Sequence, residues 1–262
     1  MSGKFIDISC DMGEGFGCWQ LGATDDEQLM KLISSANIAT GFHAGDPNLM
    51  DLSIRRALAN NVAIGVHPGF RDLHGFGRRK VEASVEEMVN DMIYQIGALR
   101  EFARLHGGTL QHVKPHGALY MALAASDAAS TAFVNAMRKV APDTFIYCMG
   151  ASATYRTAAQ AGHPVIREFY ADREYDTTGK IVFTRKPDDH NPRKAAERVI
   201  RACIEGKVRP VDGDDIKVGF ESVCVHSDTP GSVELLIAIR EALTKSGIKI
   251  VSPSASRVRA VA

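Results

Sequence analysis

Apolar and polar positions alternate in several short runs of this chain. In FIDISCD, Ile6, Ile8 and Cys10 share one parity, while Asp7, Ser9 and Asp11 share the other. In VAIGVH, Val62, Ile64 and Val66 oppose Ala63, Gly65 and His67. In SVCVH, Val223 and Val225 oppose Ser222, Cys224 and His226. In HVKPH, His112, Lys114 and His116 share a parity if the chain stays extended, which Pro115 favours at Lys114. The alternation predicts strands with one aliphatic face and one small or polar face.

Seven β-rich stretches stand out: Phe5–Cys10, Ile38–Phe42, Val62–Val66, Leu110–Lys114, Phe145–Met149, Val165–Tyr170 and Ser222–Val225. The segments between them carry helix signals. Thr24 with Glu27, and Ser84 with Glu87, have capping-box spacing. Asp46-Pro47, Asn191-Pro192 and Thr229-Pro230 each place a capping side chain before a proline suited to a first helical turn. Gly107-Gly108, Gly162, Gly206 and Gly247 stand where helices should stop. Repeated strand–helix units predict an α/β fold with a parallel sheet. With no linker or repeat in view, residues 1–262 are expected to form one domain.

A sheet covered by helices on both sides should be apolar on both faces. A polar second face that repeatedly ends in an ionisable residue instead fits a barrel lumen opening into a site at the carboxyl ends of the strands. On that reading Asp11, His43, His67, Lys114, His116 and His226 converge on one mouth.

Composition narrows the function classes. Lys plus Arg equals Asp plus Glu at 31 each, so no net field recruits nucleic acid or an anionic membrane. The five cysteines are odd in number and lack CxxC spacing, which argues against a disulfide framework or a zinc ribbon. No signal peptide and no run of ~18 apolar residues is evident, so a cytoplasmic location is expected. There is no GxxxxGK[ST] loop, no GxGxxG fingerprint after the first strand and no GxSxG elbow.

The candidate residues lie in a few short runs. ISCDMGEG offers Asp11 and Glu14 as a general base or cation ligands. SANIATGFHAGDP offers His43, while Asp46 reads as a helix cap. AIGVHPGFRDLHGFGRR offers His67 and Arg78, an arginine suited to a carboxylate or phosphate. HVKPHGALY offers Lys114 and His116 for charge stabilisation and proton transfer; His112 and Tyr120 read as structural. FYADREYDTTGK offers Asp172, Arg173, Glu174 and Tyr175 as a substrate-recognition loop, and with VHSDTPGS it gives Asp172 and His226 as candidates for substrate or phosphate binding. Asp11, His43, His67 and His116 include acceptable ligands for a divalent metal, but no HxxxH or HExxH spacing supports one.

In this order, ISCDMGEG, SANIATGFHAGD, AIGVHPGF, GFGRR, HVKPHGALY and VHSDTPG resemble the LamB/YcsF family, over nearly the whole chain. Ser9 stands where the family usually has asparagine, and FGCWQLGATDDEQ, with Trp19, is longer than the short bacterial form. The resemblance implies a seven-stranded β/α barrel related to the polysaccharide-deacetylase type. It also implies ATP-dependent opening of the lactam of 5-oxo-L-proline to L-glutamate, with partner subunits B and C; ATP, with Mg²⁺, would be the cofactor. Asp11, Glu14, His43, His67, Lys114 and His116 carry over as catalytic candidates. Two other readings stay open: a metal-dependent amide hydrolase or deacetylase, and a protein that only binds a ligand. Self-association is also left open.

Overall fold

The computed structural model describes residues 4–19, 25–184 and 191–253. In chain order the elements are β1 (Phe5–Met12), α1 (Asp26–Met30), β2 (Ser35–Ala39), α2 (Pro47–Ala59), β3 (Ala63–His67), α3 (Val85–Leu105), β4 (Leu110–Val113), α4 (Gly117–Ala125), α5 (Asp127–Val140), β5 (Phe145–Met149), α6 (Ala153–Gln160), β6 (Val165–Tyr170), α7 (Pro192–Glu205), β7 (Lys207–Val208), β8 (Ile216–Lys217), β9 (Ser222–Val225), α8 (Ser232–Lys245) and β10 (Lys249–Ile250). Parallel pairing runs β1-β2-β3-β4-β5-β6-β9, and β9 pairs back onto β1 through Asp7↔Ser222 to Cys10↔Val225. The seven strands therefore close into a barrel. β10 adds in parallel to the start of β1, and β7 and β8 form a separate short hairpin.

The aliphatic parity packs outward against the helices. Ile8, Cys10, Ile64, Val66, Val223 and Val225 are all buried there with α-helical partners such as Ile54, Leu99 and Ile239. The polar parity fills the lumen. At the closed end Asp7 accepts hydrogen bonds from Ser34, Ser35, Tyr147 and Ser222, at 2.6–2.9 Å. That set of hydroxyls is what allows a carboxyl to sit fully buried at this level. Burial pushes its pKa up, against the lowering effect of the four hydroxyls. Gly65 is needed one layer above, because a Cβ there would meet the His112 ring at 2.0 Å.

Several local signals act as the sequence implies. Ser84 and Glu87 form a reciprocal capping box on α3, Asp46 caps α2, and Asn191 caps α7. Gly206 ends α7 in the left-handed region. Two expectations are corrected. β2 runs from Ser35 to Ala39, not from Ile38 to Phe42, because its lumen face is the polar pair Ser35 and Asn37. Thr229-Pro230 does not begin a helix: α8 starts at Ser232 after Gly231, whose φ is +72°, and the Thr229 hydroxyl is used by Asp172 instead. Thr24 lies outside the described residues; the first described cap of α1 is Asp25, which accepts from the Glu27 amide. No single helix among the described residues is long and apolar enough to cross a membrane.

Candidate active site

Every barrel strand is parallel, so all carboxyl ends open at one rim, and the loops that follow β1, β2, β3, β4, β6 and β9 bring their polar groups there. Lys114 follows β4 and points inward, although almost completely buried. Its Nζ donates to Asp11 Oδ1 at 2.6 Å, lies 3.2 Å from Cys224 Sγ and 3.9 Å from Glu168 Oε1. Burial opposes the ammonium charge, but Asp11 and Glu168 overcome it and hold the lysine well above its ordinary pKa. Burial likewise works upward on Asp11, yet His67 and Lys114 hold that carboxyl well below the usual range. Asn37 fixes Asp11 from below: its Nδ2 donates to Asp11 Oδ1 at 2.8 Å, and its Oδ1 is 2.6 Å from His112 Nε2. Buried among these groups, His112 is driven down to about 3, first by desolvation and then by Lys114. It stays neutral and structural.

Glu14, His43, His67 and His116 gather beside Lys114. Their donor atoms lie within 4.8 Å of one another, and Asp11 Oδ2 is 3.2 Å from His67 Nε2. The rings of His43 and His116 stack at 3.8 Å between centroids. This stack needs glycine nearby: a Cβ on Gly77, whose φ is +62°, would lie 2.7 Å from His43 Cβ and 2.8 Å from His116 Cδ2. Burial, followed by neighbouring His67, pushes His43 well below its ordinary pKa, and burial with His43 does the same to His116. Glu14 is pushed well up by burial and by the carboxylates of Asp11 and Asp228. This group of acids and imidazoles includes the residues able to hold a metal.

Across the mouth, His226 and Asp172 form a tight pair. Asp172 accepts from the His226 backbone amide at 3.0 Å, from His226 Nδ1 at 3.0 Å and from the Thr229 hydroxyl at 2.6 Å. Burial works against its charge, but His226 and Arg173 hold the carboxyl well below its ordinary pKa. His226 itself is lowered by desolvation and by the Arg173 charge. Its Nε2 faces the interior, 3.9 Å from Asp11 Oδ2.

The pocket between these groups measures about 430 Å³ with its open mouth, and Lys114, Arg78, Arg173, Tyr170 and His226 all line it. Arg78 forks onto Asp228, at 2.8 and 3.1 Å, so this arginine is held by an acid at the rim. Arg173 is the more available donor: its Nη1 is fixed by Asp172 and Thr229, and its buried Nη2 has no hydrogen-bond partner.

The structure thus brings Asp11, Glu14, His43, His67, Lys114, His116, Arg78, Asp172 and His226 around one pocket and its immediate wall. Sequence reasoning misses two residues that belong with them, Glu168 and Asn37. Glu168 is findable by applying the strand alternation to VIREFY, which puts Glu168 and Tyr170 on one face. Its Oε2 accepts from Tyr170 at 2.9 Å and Tyr120 at 3.3 Å, its Oε1 has no partner within hydrogen-bond distance, and burial pushes it up to about 7 despite Lys114. Asn37 is hidden by the misplaced start of β2. Arg173 belongs to FYADREYDTTGK, the run that reads as a substrate-recognition loop. Trp19 does not line the pocket; it is 72% exposed, and its backbone pairs with Phe16.

Comparison with known proteins bears on the fold and the family. The chain is 56% identical over 248 residues to the first 5-oxoprolinase A-subunit of Pseudomonas aeruginosa, covering 95% of this chain and 98% of that one. It is 44% identical over 248 residues to the 5-oxoprolinase A-subunit of Rhodopseudomonas palustris, covering 94% and 97%. The crystal structure of a lactam utilization protein from Thermus thermophilus superposes with a TM-score of 0.87 at 36% identity, over 94% of this chain and 99% of that one. A putative cellobiose-phosphate cleavage protein of Enterococcus faecalis shares the fold, with a TM-score of 0.57 at 12% identity, over 97% and 99%. The model of the LamB/YcsF family matches residues 6–258, a span that holds every pocket residue and all but the first residue of the barrel strands, and the chain belongs to that family.

Proposed function

We propose that this chain is the lactam-opening subunit of an ATP-dependent 5-oxoprolinase, converting 5-oxo-L-proline to L-glutamate together with two partner subunits, B and C. The observation that carries the reading is a small pocket in which an ammonium, a buried arginine and a carboxylate-backed imidazole face one another. The relatives named as 5-oxoprolinase A-subunits, and the solved lactam utilization protein, support the same substrate class.

A five-membered lactam is a stable amide, so its carbonyl needs activation before water attacks. ATP supplies it by transferring its γ-phosphoryl group to the amide oxygen. Water then adds to the same carbon, and the C–N bond breaks to give an acyl phosphate and a free amine. A second water releases phosphate and leaves glutamate. Lys114 is placed to balance negative charge on the phosphorylated oxygen. Arg173, through its Nη2, which makes no hydrogen bond and lies 4.0 Å from Asp228 Oδ1, receives the ring carboxylate. His226 Nε2 takes the proton from the attacking water, and Asp172 holds the ring in the required tautomer. Asp11 is the base that sequence alone suggests, but a carboxylate held this far down is a weak one; its Oδ1 anchors Lys114.

The test is reconstitution. The chain is combined with subunits B and C, and glutamate release from 5-oxo-L-proline is followed with and without ATP. Turnover should require ATP and all three subunits, and should fall in Lys114→Ala and His226→Ala. Wild-type turnover in both variants would leave the chain as a ligand-binding subunit and remove its catalytic role.

A further inference from the structure

His67 Nε2 and His116 Nδ1 lie 2.9 Å apart. The far nitrogen of each ring decides what this contact is. His67 Nδ1 is 2.6 Å from the Lys114 carbonyl oxygen, and His116 Nε2 is 2.8 Å from the Phe76 carbonyl oxygen. A carbonyl only accepts, so both far nitrogens carry the proton. In the neutral rings, the two nitrogens that face each other are therefore both lone pairs. Two carboxylate oxygens join them: Asp11 Oδ2 is 3.2 Å from His67 Nε2, and Glu14 Oε1 is 3.4 Å from His116 Nδ1 and 3.8 Å from His67 Nε2. With both rings neutral and Glu14 ionised, four acceptors face this small space and repel one another unless a cation or a shared proton stands among them.

We propose that Asp11, Glu14, His67 and His116 form a binding site for one divalent transition-metal ion of the zinc type, with His43 as the residue that orients Glu14. Metal–ligand bonds of 2.0–2.2 Å in a tetrahedron put neighbouring ligand atoms about 3.3–3.6 Å apart. Four of the six separations among the ligand atoms are those above, and at 2.9–3.8 Å they scatter around that spacing. Two imidazoles and two carboxylates suit zinc, manganese, iron or cobalt better than magnesium or calcium. The carbonyl partners behind His67 and His116 are the kind that fix a ligating imidazole in its tautomer.

His43 behaves differently. Its Nε2 lies 3.1 Å from Glu14 Oε1, while its buried Nδ1 has no hydrogen-bond partner. A ligating Nε2 would force an N–H onto Nδ1 and strand it. Donation from Nε2–H to Glu14 strands nothing but a lone pair, so His43 acts through Glu14. The ligands come from three separate strands and their loops, which is why no HxxxH spacing announces them. An ion held by four protein ligands is closed to water and fixes Asp11 and His116 in the pocket wall.

The competing arrangement is a single proton shared between His67 and His116. Metal analysis of the purified full chain, and titration of chelator-treated chain with Co²⁺ followed by visible absorption, separate the two. About one ion per chain and the visible bands of four-coordinate cobalt are expected. Glu14→Gln and His67→Ala should lose the ion, whereas His43→Ala should weaken binding by about 10–100-fold and keep the stoichiometry. Absence of a stoichiometric ion in the wild-type chain after titration overturns the proposal, and needs no variant to fold. Full retention in both Glu14→Gln and His67→Ala also overturns it. These readouts do not involve the lactam: a metal-free chain that sustains turnover in the reconstituted complex refutes the metal site alone, and a metal-loaded chain without turnover refutes the lactam reading alone.

Discussion

Asp172 grips His226 at two points, accepting from its backbone amide and from its ring Nδ1, both at 3.0 Å. The double contact fixes the position of the residue and the tautomer of its ring together. With Nδ1 carrying the proton, Nε2 is left as a base directed into the pocket. Asp172→Asn would keep the size but allow the ring to flip its proton to Nε2. Turnover of the reconstituted complex should fall by roughly 10²–10⁴-fold with little change in KM. A rise in KM at unchanged kcat would instead assign the pair to substrate binding.

The low pKa of His226 has a sign that can be checked. Desolvation and Arg173 favour the neutral ring, so the base stays available at pH values below the ordinary histidine value of about 6.5. The acidic limb of the kcat/KM profile should therefore lie below that value. In Arg173→Met the positive neighbour is gone, and the limb should move to higher pH. An unmoved limb would mean that another group controls it.

Lys114 is the only ammonium among the described residues placed against Asp11 and Glu168. Lys114→Met leaves both carboxyls buried without their cation and should destabilise the fold by about 3–5 kcal/mol. The double variant Asp11→Asn, Lys114→Met should recover part of that loss. Chemical denaturation measures both; equal stability of the single variant and the wild-type chain would show that water reaches these groups.

Glu168 links the same cluster to pH. Its folded-state value of about 7 is raised from an ordinary 4.5, chiefly by burial. The folded chain thus holds a proton that the unfolded chain releases between these values. The contribution is fully present below pH ~4.5 and is lost as pH rises through ~7, amounting to about 3 kcal/mol. Glu168→Gln should flatten stability across that window. A slope unchanged in the variant would place the titration elsewhere.

Gly65 offers a steric test inside the lumen. A methyl group there would lie 2.0 Å from His112 Nε2, on the atom that holds Asn37. Gly65→Ala should lower the melting temperature and also turnover, because Asn37 anchors Asp11. A full-activity variant would show that the chain of contacts from His112 to Lys114 is slack.

Strand parity makes much of this legible. The alternations around Asp11, His67, Lys114 and His226 separate lumen from exterior without reference to any contact. What stays hidden follows from the same feature. A polar lumen makes part of a strand look like loop, so β2 seems to start too late and Asn37 escapes notice. Arg173 reaches the pocket from a loop whose path is set by Asp172 and by Thr229, which is 56 positions from Arg173 and 57 from Asp172 in the chain. No local pattern announces such a pairing. Thr229-Pro230 looks like a helix start because threonine before proline usually is one; here the hydroxyl is already engaged by Asp172.

The seam between β1 and β9 joins residues 7–10 to residues 222–225. Asp11 and Glu14 emerge on one side of that seam, and His226 on the other. During synthesis the earliest of these groups must wait for the last strand before they gain their neighbour across it. A ribosome-bound chain that has already folded six strands still lacks one wall of its pocket, so competence should arrive abruptly, with the final strand, and not grow in proportion to length.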